Sequence, residues 1–386
     1  MKILLLAPQP FYQERGTPIA IKLLLEVLSG RGDQVDVLTL HEGEDLTLPG
    51  VTIHRTPALP FLKNIRPGFS PKKLICDTLM LPQAIRMAAR GRYDYVHAVE
   101  EAAFIAVILK LLFGIPFLYD MDSSLSGQLT DKIGAFKPLL PALRGVERWM
   151  MRRAAVVVPV CDSLRDEAAR SGARKIAVLY DVPLPPEVCA IPAENVRAKL
   201  GLSGVMALYI GNLELYQGID LLLESFWLAA EQRPGLDLVI IGGKPADIDK
   251  YTGKARELGI EERVHFLGAK PVALLSAYLE QADILVSPRI KGSNTPMKLY
   301  SYLQSGKPVL ATNLSTHTQV LDPASALLTD PHPRAFAEGL IRLAGEPGLR
   351  TALGAAGRRL IDTKYNYDAF CRTFASVLAD LERGVR

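Results

Sequence analysis

Lys298 lies in Ser287-Pro-Arg-Ile-Lys-Gly-Ser-Asn-Thr-Pro-Met-Lys-Leu-Tyr-Ser-Tyr-Leu-Gln-Ser-Gly-Lys-Pro-Val-Leu-Ala-Thr312, a run that reads as strand, polar loop, short helix and strand. Thr295 is the expected N-cap, Pro296 suits the first helical position and Gly306 suits a left-handed stop. A cation in the first turn of a helix is disfavoured by about 0.3–1 kcal/mol, so Lys298 there asks for a compensating anion. Three- and four-residue spacing predicts Lys298, Ser301 and Tyr302 on one face, with Leu299 and Leu303 on the core side. Arg289, Lys291 and Lys244 are further cations that could meet an anion, and Asn294 can both donate to and accept from a sugar hydroxyl. Ser301 is a neutral partner for the same ligand.

A second loop of the same kind follows the strand Lys2–Ala7. In Arg15-Gly-Thr-Pro18, Thr17 reads as a cap and Gly16 as a place where backbone can approach a ligand. Two further groups offer proton chemistry. His97 ends the strand Tyr93–His97, and Glu100 and Glu101 follow it; they either position and deprotonate an acceptor hydroxyl or are hydrogen-bonded strand-end residues. Asp122, in Tyr119-Asp-Met-Asp-Ser-Ser124, either accepts from a sugar hydroxyl or caps the turn after it.

Elements that could hold such residues recur along the chain. Apolar runs at Val35–Leu40, Tyr93–His97, Pro116–Tyr119, Ala155–Val160 and Ile176–Leu179, with helices between them, predict a doubly wound parallel sheet. The prolines of Asp181-Val-Pro-Leu-Pro-Pro186 mark a linker. Runs at Met206–Gly211, Leu236–Ile241, Arg263–Leu267, Ile284–Val286, Pro308–Ala311 and Ala326–Leu328 predict a second sheet. The fold class is therefore α/β, with two domains at 1–183 and 195–365 and a last helix within 366–386. Ligands of such sheets bind at the carboxyl ends of the strands, which makes a cleft between the two domains the expected site.

Composition narrows the function. The chain has 386 residues, 49% of them hydrophobic and 22% charged, which suits two globular domains. Its four cysteines and six histidines show no metal-type spacing, so no metal and no built-in cofactor are expected. The apolar start is too short for a secretory signal, and Ala102–Tyr119 is divided by Gly114 and Pro116 into a buried helix and a strand; a cytoplasmic protein is expected. Net charge is +4, but Arg55–Arg92 carries eight basic residues against one acid, and Lys132–Arg153 carries six against one. That pattern suits peripheral contact with an anionic membrane or a lipid phosphate. In the second stretch Leu139, Leu143, Val146 and Met150 also make a plain core stripe. No nucleic-acid motif is present.

Taken together, the chain resembles glycosyltransferase family 4. The resemblance rests on Gly16, on Tyr209-Ile-Gly-Asn-Leu-Glu-Leu-Tyr-Gln-Gly-Ile-Asp220, on Ile241-Gly-Gly243, on Val264-His-Phe-Leu-Gly268 and on the Ser287–Thr312 run. It implies the GT-B fold of two Rossmann-like domains, a last helix returning to the first domain, and a retaining, metal-independent transferase using a nucleoside-diphosphate sugar as donor. The acceptor expected from the basic and apolar stretches is lipid-linked or a saccharide. Donor contacts would come from Gly16, Thr17, Gly211, Asn212, Gln217, Gly218, Gly243, Lys244, Leu267, Gly268, Arg289, Asn294, Thr295, Lys298 and Ser301, with Asp122, Lys298, Glu100 and His97 nearest the chemistry. Departures are specific: the usual glutamate pair falls at Ser293 and Ser301, the usual diphosphate cations at Asn212 and Gln217, and a usual histidine at Asp122. Those changes leave an inactive sugar-nucleotide binder or scaffold as an alternative, and a nucleoside-diphosphate-sugar epimerase on the same fold is a further one.

Overall fold

The computed structural model describes residues 1–14, 16–59, 62–63, 65, 70–124, 140–184 and 193–385. Arg15, Lys132, Leu139, Pro185 and Pro186 of the sequence reading, with parts of the basic stretches at 55–92 and 132–153, lie outside the described residues. The chain divides into two compact units, Met1–Tyr180 with Phe370–Arg386, and Asp181–Ala369.

The first unit runs β1 (Lys2–Ala7), α1 (Gly16–Gly30), β2 (Gln34–Thr39), β3 (Val51–Arg55), α2 (Pro71–Arg90), β4 (Tyr95–Val99), α3 (Ala102–Phe113), β5 (Phe117–Met121), α4 (Leu140–Arg153), β6 (Val156–Pro159) and α5 (Asp162–Arg170). Its six strands are parallel in the order β3-β2-β1-β4-β5-β6. β4, β5 and β6 are buried at every position, as strands covered on both faces must be. β3 was not among the expected strands, because its half-buried Val-Thr-Ile-His-Arg is an edge without a continuous apolar run. Ile176–Leu179 is reduced to a bridge between Ile176 and Val157 rather than a full strand.

Two helices differ from expectation on their outer faces. Gly114 ends α3 in the left-handed region (φ 73°), and its N–H donates to Lys110 O at 2.9 Å, as its position predicts. The helix is not buried all round: Phe104, Leu111, Leu112 and Phe113 face outward. On α4 the inward side carries Glu147, Met150 and Met151, whereas Val146 is exposed beside Trp149, so the expected core stripe is displaced.

The second unit runs α6 (Val196–Leu200), β7 (Val205–Ile210), α7 (Ile219–Gln232), β8 (Leu236–Ile241), α8 (Pro245–Glu257), β9 (Val264–Phe266), α9 (Leu275–Gln281), β10 (Ile284–Ser287), α10 (Lys298–Gln304), β11 (Val309–Thr312), α11 (Ser315–Thr318), β12 (Leu327–Thr329), α12 (Pro333–Gly345) and α13 (Pro347–Thr363). Its sheet order is β12-β11-β10-β7-β8-β9, again parallel. All six strands coincide with the expected runs to within a residue or two.

The last helix, α14 (Tyr367–Val385), belongs from Phe370 onward to the first unit. Phe374 is fully buried there, with its ring 6.1 Å from that of His97. Glu382 pairs with Arg31 at 3.0 Å, and Asp380 with Lys175. Both pairs lie at the surface where water screens them, so the apolar seat of Phe374 dominates the docking. Phe374→Ala should therefore cost about 3–5 kcal/mol. Denaturant unfolding measures it, and a loss under about 1 kcal/mol would refute this account of the helix.

Candidate active site

In the second unit the loops after β7, β8 and β10 meet through backbone contacts that only glycine permits. Gly218 has φ 74°, and a Cβ there would lie 2.0 Å from Pro288 O. Gly242 has φ 115°, and its Cβ would lie 2.1 Å from Gly211 O, while its N–H donates to Gly268 O at 2.7 Å. Gly243 is equally closed to a side chain, because Leu213 stands in the way.

Lys298 reaches this junction from α10. Its Nζ donates to Gln217 Oε1 at 3.3 Å and sits 3.8 Å from the ring centroid of Tyr209. It also approaches the Gly211 backbone, lying 3.4 Å from where a Cβ would be. No carboxylate pairs with it among the described residues. Desolvation, with the positive Arg289 as a second cause, pulls its pKa well below the ordinary lysine range. Gln217, at a position where the resemblance led one to expect a cation, accepts instead from the lysine supplied by α10.

The rest of α10 corrects the sequence reading. The helix starts at Lys298, Met297 stands at its N-cap with helical dihedrals, and no side chain caps it. Thr295 is buried and its Oγ1 has no hydrogen-bond partner among the described residues, so it is not the cap. Leu299, Tyr300, Ser301, Tyr302 and Leu303 are all buried, so there is no separate chemical face. Tyr302 fixes the helix to the sheet, its hydroxyl accepting from Ile210 N at 2.8 Å. Gly306 takes φ 70° and stops the helix as expected.

Arg289 serves the loop itself. It is 7% exposed; Nε donates to Lys291 O at 2.7 Å, Nη1 to Asn294 O at 3.2 Å and Nη2 to Asn294 Oδ1 at 3.1 Å. These bonds occupy Arg289 and the Asn294 carbonyl group, which were expected to face the donor. Burial lowers the guanidinium pKa, and the group remains a fixed positive charge near Lys298. α11 completes the brace: Thr316 Oγ1 donates to Asn294 O at 2.6 Å and Gln319 Nε2 to Ser293 O at 2.9 Å. His317, fully buried, donates from Nδ1 to Thr312 O at 2.8 Å and accepts at Nε2 from Ser287 Oγ at 2.9 Å. Its pKa falls to about 4, through burial first and then the charges of Lys298 and Arg289.

Other expected donor residues spread along the rim. Asn212 is exposed; its Oδ1 accepts from Glu214 N at 3.2 Å and its backbone O from Tyr209 Oη at 2.6 Å. Lys244 is exposed at the start of α8, and Lys291 is exposed on its loop. Leu267 and Gly268 follow β9 half-buried, and a Cβ on Gly268 would meet nothing closer than Ile248 at 4.0 Å.

In the first unit α1 begins at Gly16, so Thr17 lies inside its first turn rather than capping it, and Gly16 faces open space. His97 is 1% exposed, with Nε2 3.1 Å from Asp120 Oδ2. It is a core histidine against Phe374, not a residue at the rim. Glu100 has φ 49° and accepts from Ser123 Oγ at 3.0 Å; Asp122 is half-buried directly after β5. A buried lysine that the sequence reading did not single out adjoins them. Lys73 pairs with Glu101 and, at 3.6 Å, with Asp77, whose carboxyl is pushed up to about 6 by burial. Among the described residues no group of His, Cys, Asp or Glu is arranged to hold a metal ion.

Two parallel six-stranded α/β sheets, each with polar loops at its strands' carboxyl ends, define a GT-B-type fold. Residues 15–180 match the model of the glycosyl transferase 4-like domain and residues 193–360 that of the glycosyl transferases group 1. The chain is 31% identical over 375 residues to the D-inositol 3-phosphate glycosyltransferase of Thermomonospora curvata, covering 89% of this chain and 86% of that protein. Sucrose-phosphate synthase from Thermosynechococcus elongatus has the same fold at TM-score 0.82 and 20% identity, over 99% of each chain. Anabaena HepE, solved in complex with UDP-glucose, matches at TM-score 0.75 and 16% identity, over 98% of this chain and 99% of that one. The chain belongs to family 4 of the GT-B glycosyltransferases and is a glycosyltransferase.

His317 carries a pH prediction. Its folded pKa of about 4 lies below the ordinary 6.5, so the unfolded chain binds the extra proton first and stability falls as pH drops from 6.5 towards 4. At about 1.4 kcal/mol per unit, the loss is on the order of 3 kcal/mol. His317→Asn should flatten that part of the stability profile relative to the unaltered protein; parallel profiles in denaturant titrations would refute the assignment.

Proposed function

We propose that the enzyme transfers a sugar from a nucleoside-diphosphate sugar to a phosphorylated polyol, or to a lipid-linked or saccharide acceptor, with retention at the anomeric carbon. The observation that carries the donor half is the Lys298 ammonium: desolvated, unpaired with any described carboxylate, and aimed at the glycine junction at the carboxyl ends of β7 and β10. A diphosphate against it replaces the solvation that the ammonium has lost, at about 1.5–3 kcal/mol per charge-assisted hydrogen bond. The UDP-glucose bound by HepE supports this donor class, and the name of the Thermomonospora relative supports a phosphorylated polyol as acceptor.

The proposed reaction forms the bond from the acceptor oxygen to the anomeric carbon and breaks the bond from that carbon to the β-phosphate oxygen. The electron pair leaves with the diphosphate, and the acceptor proton passes to its departing oxygen. Attack from the side of the leaving group needs no carboxylate nucleophile, which suits serines at 293 and 301. Lys298 compensates the charge growing on the diphosphate, and Arg289 adds a fixed positive field from within its loop. Gln217 orients the ammonium.

Calorimetry with uridine, guanosine, adenosine and thymidine diphosphates, with and without magnesium, tests the donor. The expected result is selective binding to one base without metal, weakened about tenfold or more by Lys298→Ala. Affinity should also fall as pH rises, in a range below that of an ordinary lysine, because the bound form needs the charged ammonium. Folded protein that binds no diphosphate would overturn the donor assignment, and an unchanged affinity in Lys298→Ala would overturn the site. Transfer of labelled sugar to inositol phosphate, and separately to lipid extract, then distinguishes the acceptors.

A further inference from the structure

We infer that the outer face of α3 and α4 docks the first unit onto an anionic lipid bilayer. Four large side chains of α3 point away from the core: Phe104, Leu111, Leu112 and Phe113, with Leu111 58% and Leu112 59% exposed. Half-buried Ile108 continues the set at i, i+4, i+7 and i+8 from Phe104, which is the spacing of a helix face. α4 packs beside α3 and adds exposed Val146 and Trp149. A group of this size on the outside of a protein marks an interaction surface.

Charge identifies the occupant. Arg144, Arg148 and Arg152 recur every four residues on the exposed side of α4, Arg152 donating from Nε to Ser171 O at 3.1 Å, and Arg153 holds its guanidinium 4.9 Å from the Trp149 ring centroid. Lys110 ties the two helices together by donating to Arg153 O at 2.7 Å. None of these cations pairs with a carboxylate among the described residues. Apolar side chains that enter the acyl boundary, with a tryptophan and arginines at headgroup depth, are what an interfacial helix presents to anionic lipid. α3 has only twelve residues, and no described helix is long and apolar enough to cross a membrane, so the contact is with the surface. A second copy of the chain is disfavoured as occupant, because a self-complementary contact would bring two unneutralised arginine rows together.

Flotation of the full chain with vesicles of phosphatidylcholine containing phosphatidylglycerol tests this. The unaltered protein should float with them, less so as salt is raised, and only weakly with phosphatidylcholine alone. Leu111→Glu with Leu112→Glu should lower the bound fraction about tenfold, and Arg144→Glu with Arg148→Glu should do the same on the anionic vesicles. In a Trp227→Phe background the Trp149 emission should shift to shorter wavelength on binding. These side chains are exposed, so melting temperature and nucleoside-diphosphate affinity should stay unchanged, which separates a failure here from a failure of the donor assignment. The inference is overturned if the unaltered protein stays with the aqueous phase, if both double variants float equally well, or if sedimentation velocity shows a dimer that Leu111→Glu dissociates.

Discussion

The second unit is arranged around the partly desolvated Lys298 ammonium, which has no carboxylate beside it among the described residues. Removing a lysine charge from water is costly unless a partner restores what hydration supplied, and Tyr209 and Gln217 restore only part of it. A tyrosine face attracts a cation through its quadrupole, by about 2 kcal/mol when desolvated, and a neutral amide adds one hydrogen bond. The remaining deficit is an affinity for anions. Lys298 also stands one helical turn from Tyr302, whose hydroxyl binds the backbone where β7 ends, so the residue that anchors the helix also sets the depth of the cation.

That depth would mean little if the preceding loop could move. Arg289 closes it from inside with three hydrogen bonds, and Thr316 and Gln319 hold it from α11. Behind them His317 links the ends of β10 and β11 and stays neutral, because burial disfavours its charged form and a positive charge there would also face Lys298 and Arg289. The loop is therefore organised before any ligand arrives, and little conformational entropy remains to be lost on binding. Ser301 fits this arrangement: a carboxylate there, one turn from Lys298, would partner the ammonium that is otherwise left for the proposed diphosphate.

The sheets were legible in the sequence because buried parallel strands are short apolar runs bounded by glycine, proline and polar residues, and all six strands of the second unit obey that rule. β3 escaped it as an edge with half its side chains wet. Lys298 was conspicuous as a cation at a helix start, but its partner Gln217 lies 81 residues away, and nothing local pairs them. Thr295 shows the opposite failure: a threonine-proline pair satisfies the capping rule on paper, yet the chain turns for two more residues before the helix begins. His97 and the outward face of α3 share a cause. A strand-end histidine can face a site or a neighbouring helix, and an apolar helix can be enclosed or bare; only the tertiary packing distinguishes them.

The division of the first unit between the two ends of the sequence bears on how the protein is made. Its sheet is complete by Pro159, yet the helix that seats Phe374 over His97 is translated only after the whole of the second unit. On the ribosome the early domain must wait with an uncovered aromatic seat while roughly half the polypeptide emerges and collapses on its own, as domains do during synthesis. The first sheet is thus covered by residues made after the second unit, and a ribosome that stalls between the two leaves two sheets, one of which still lacks its cover.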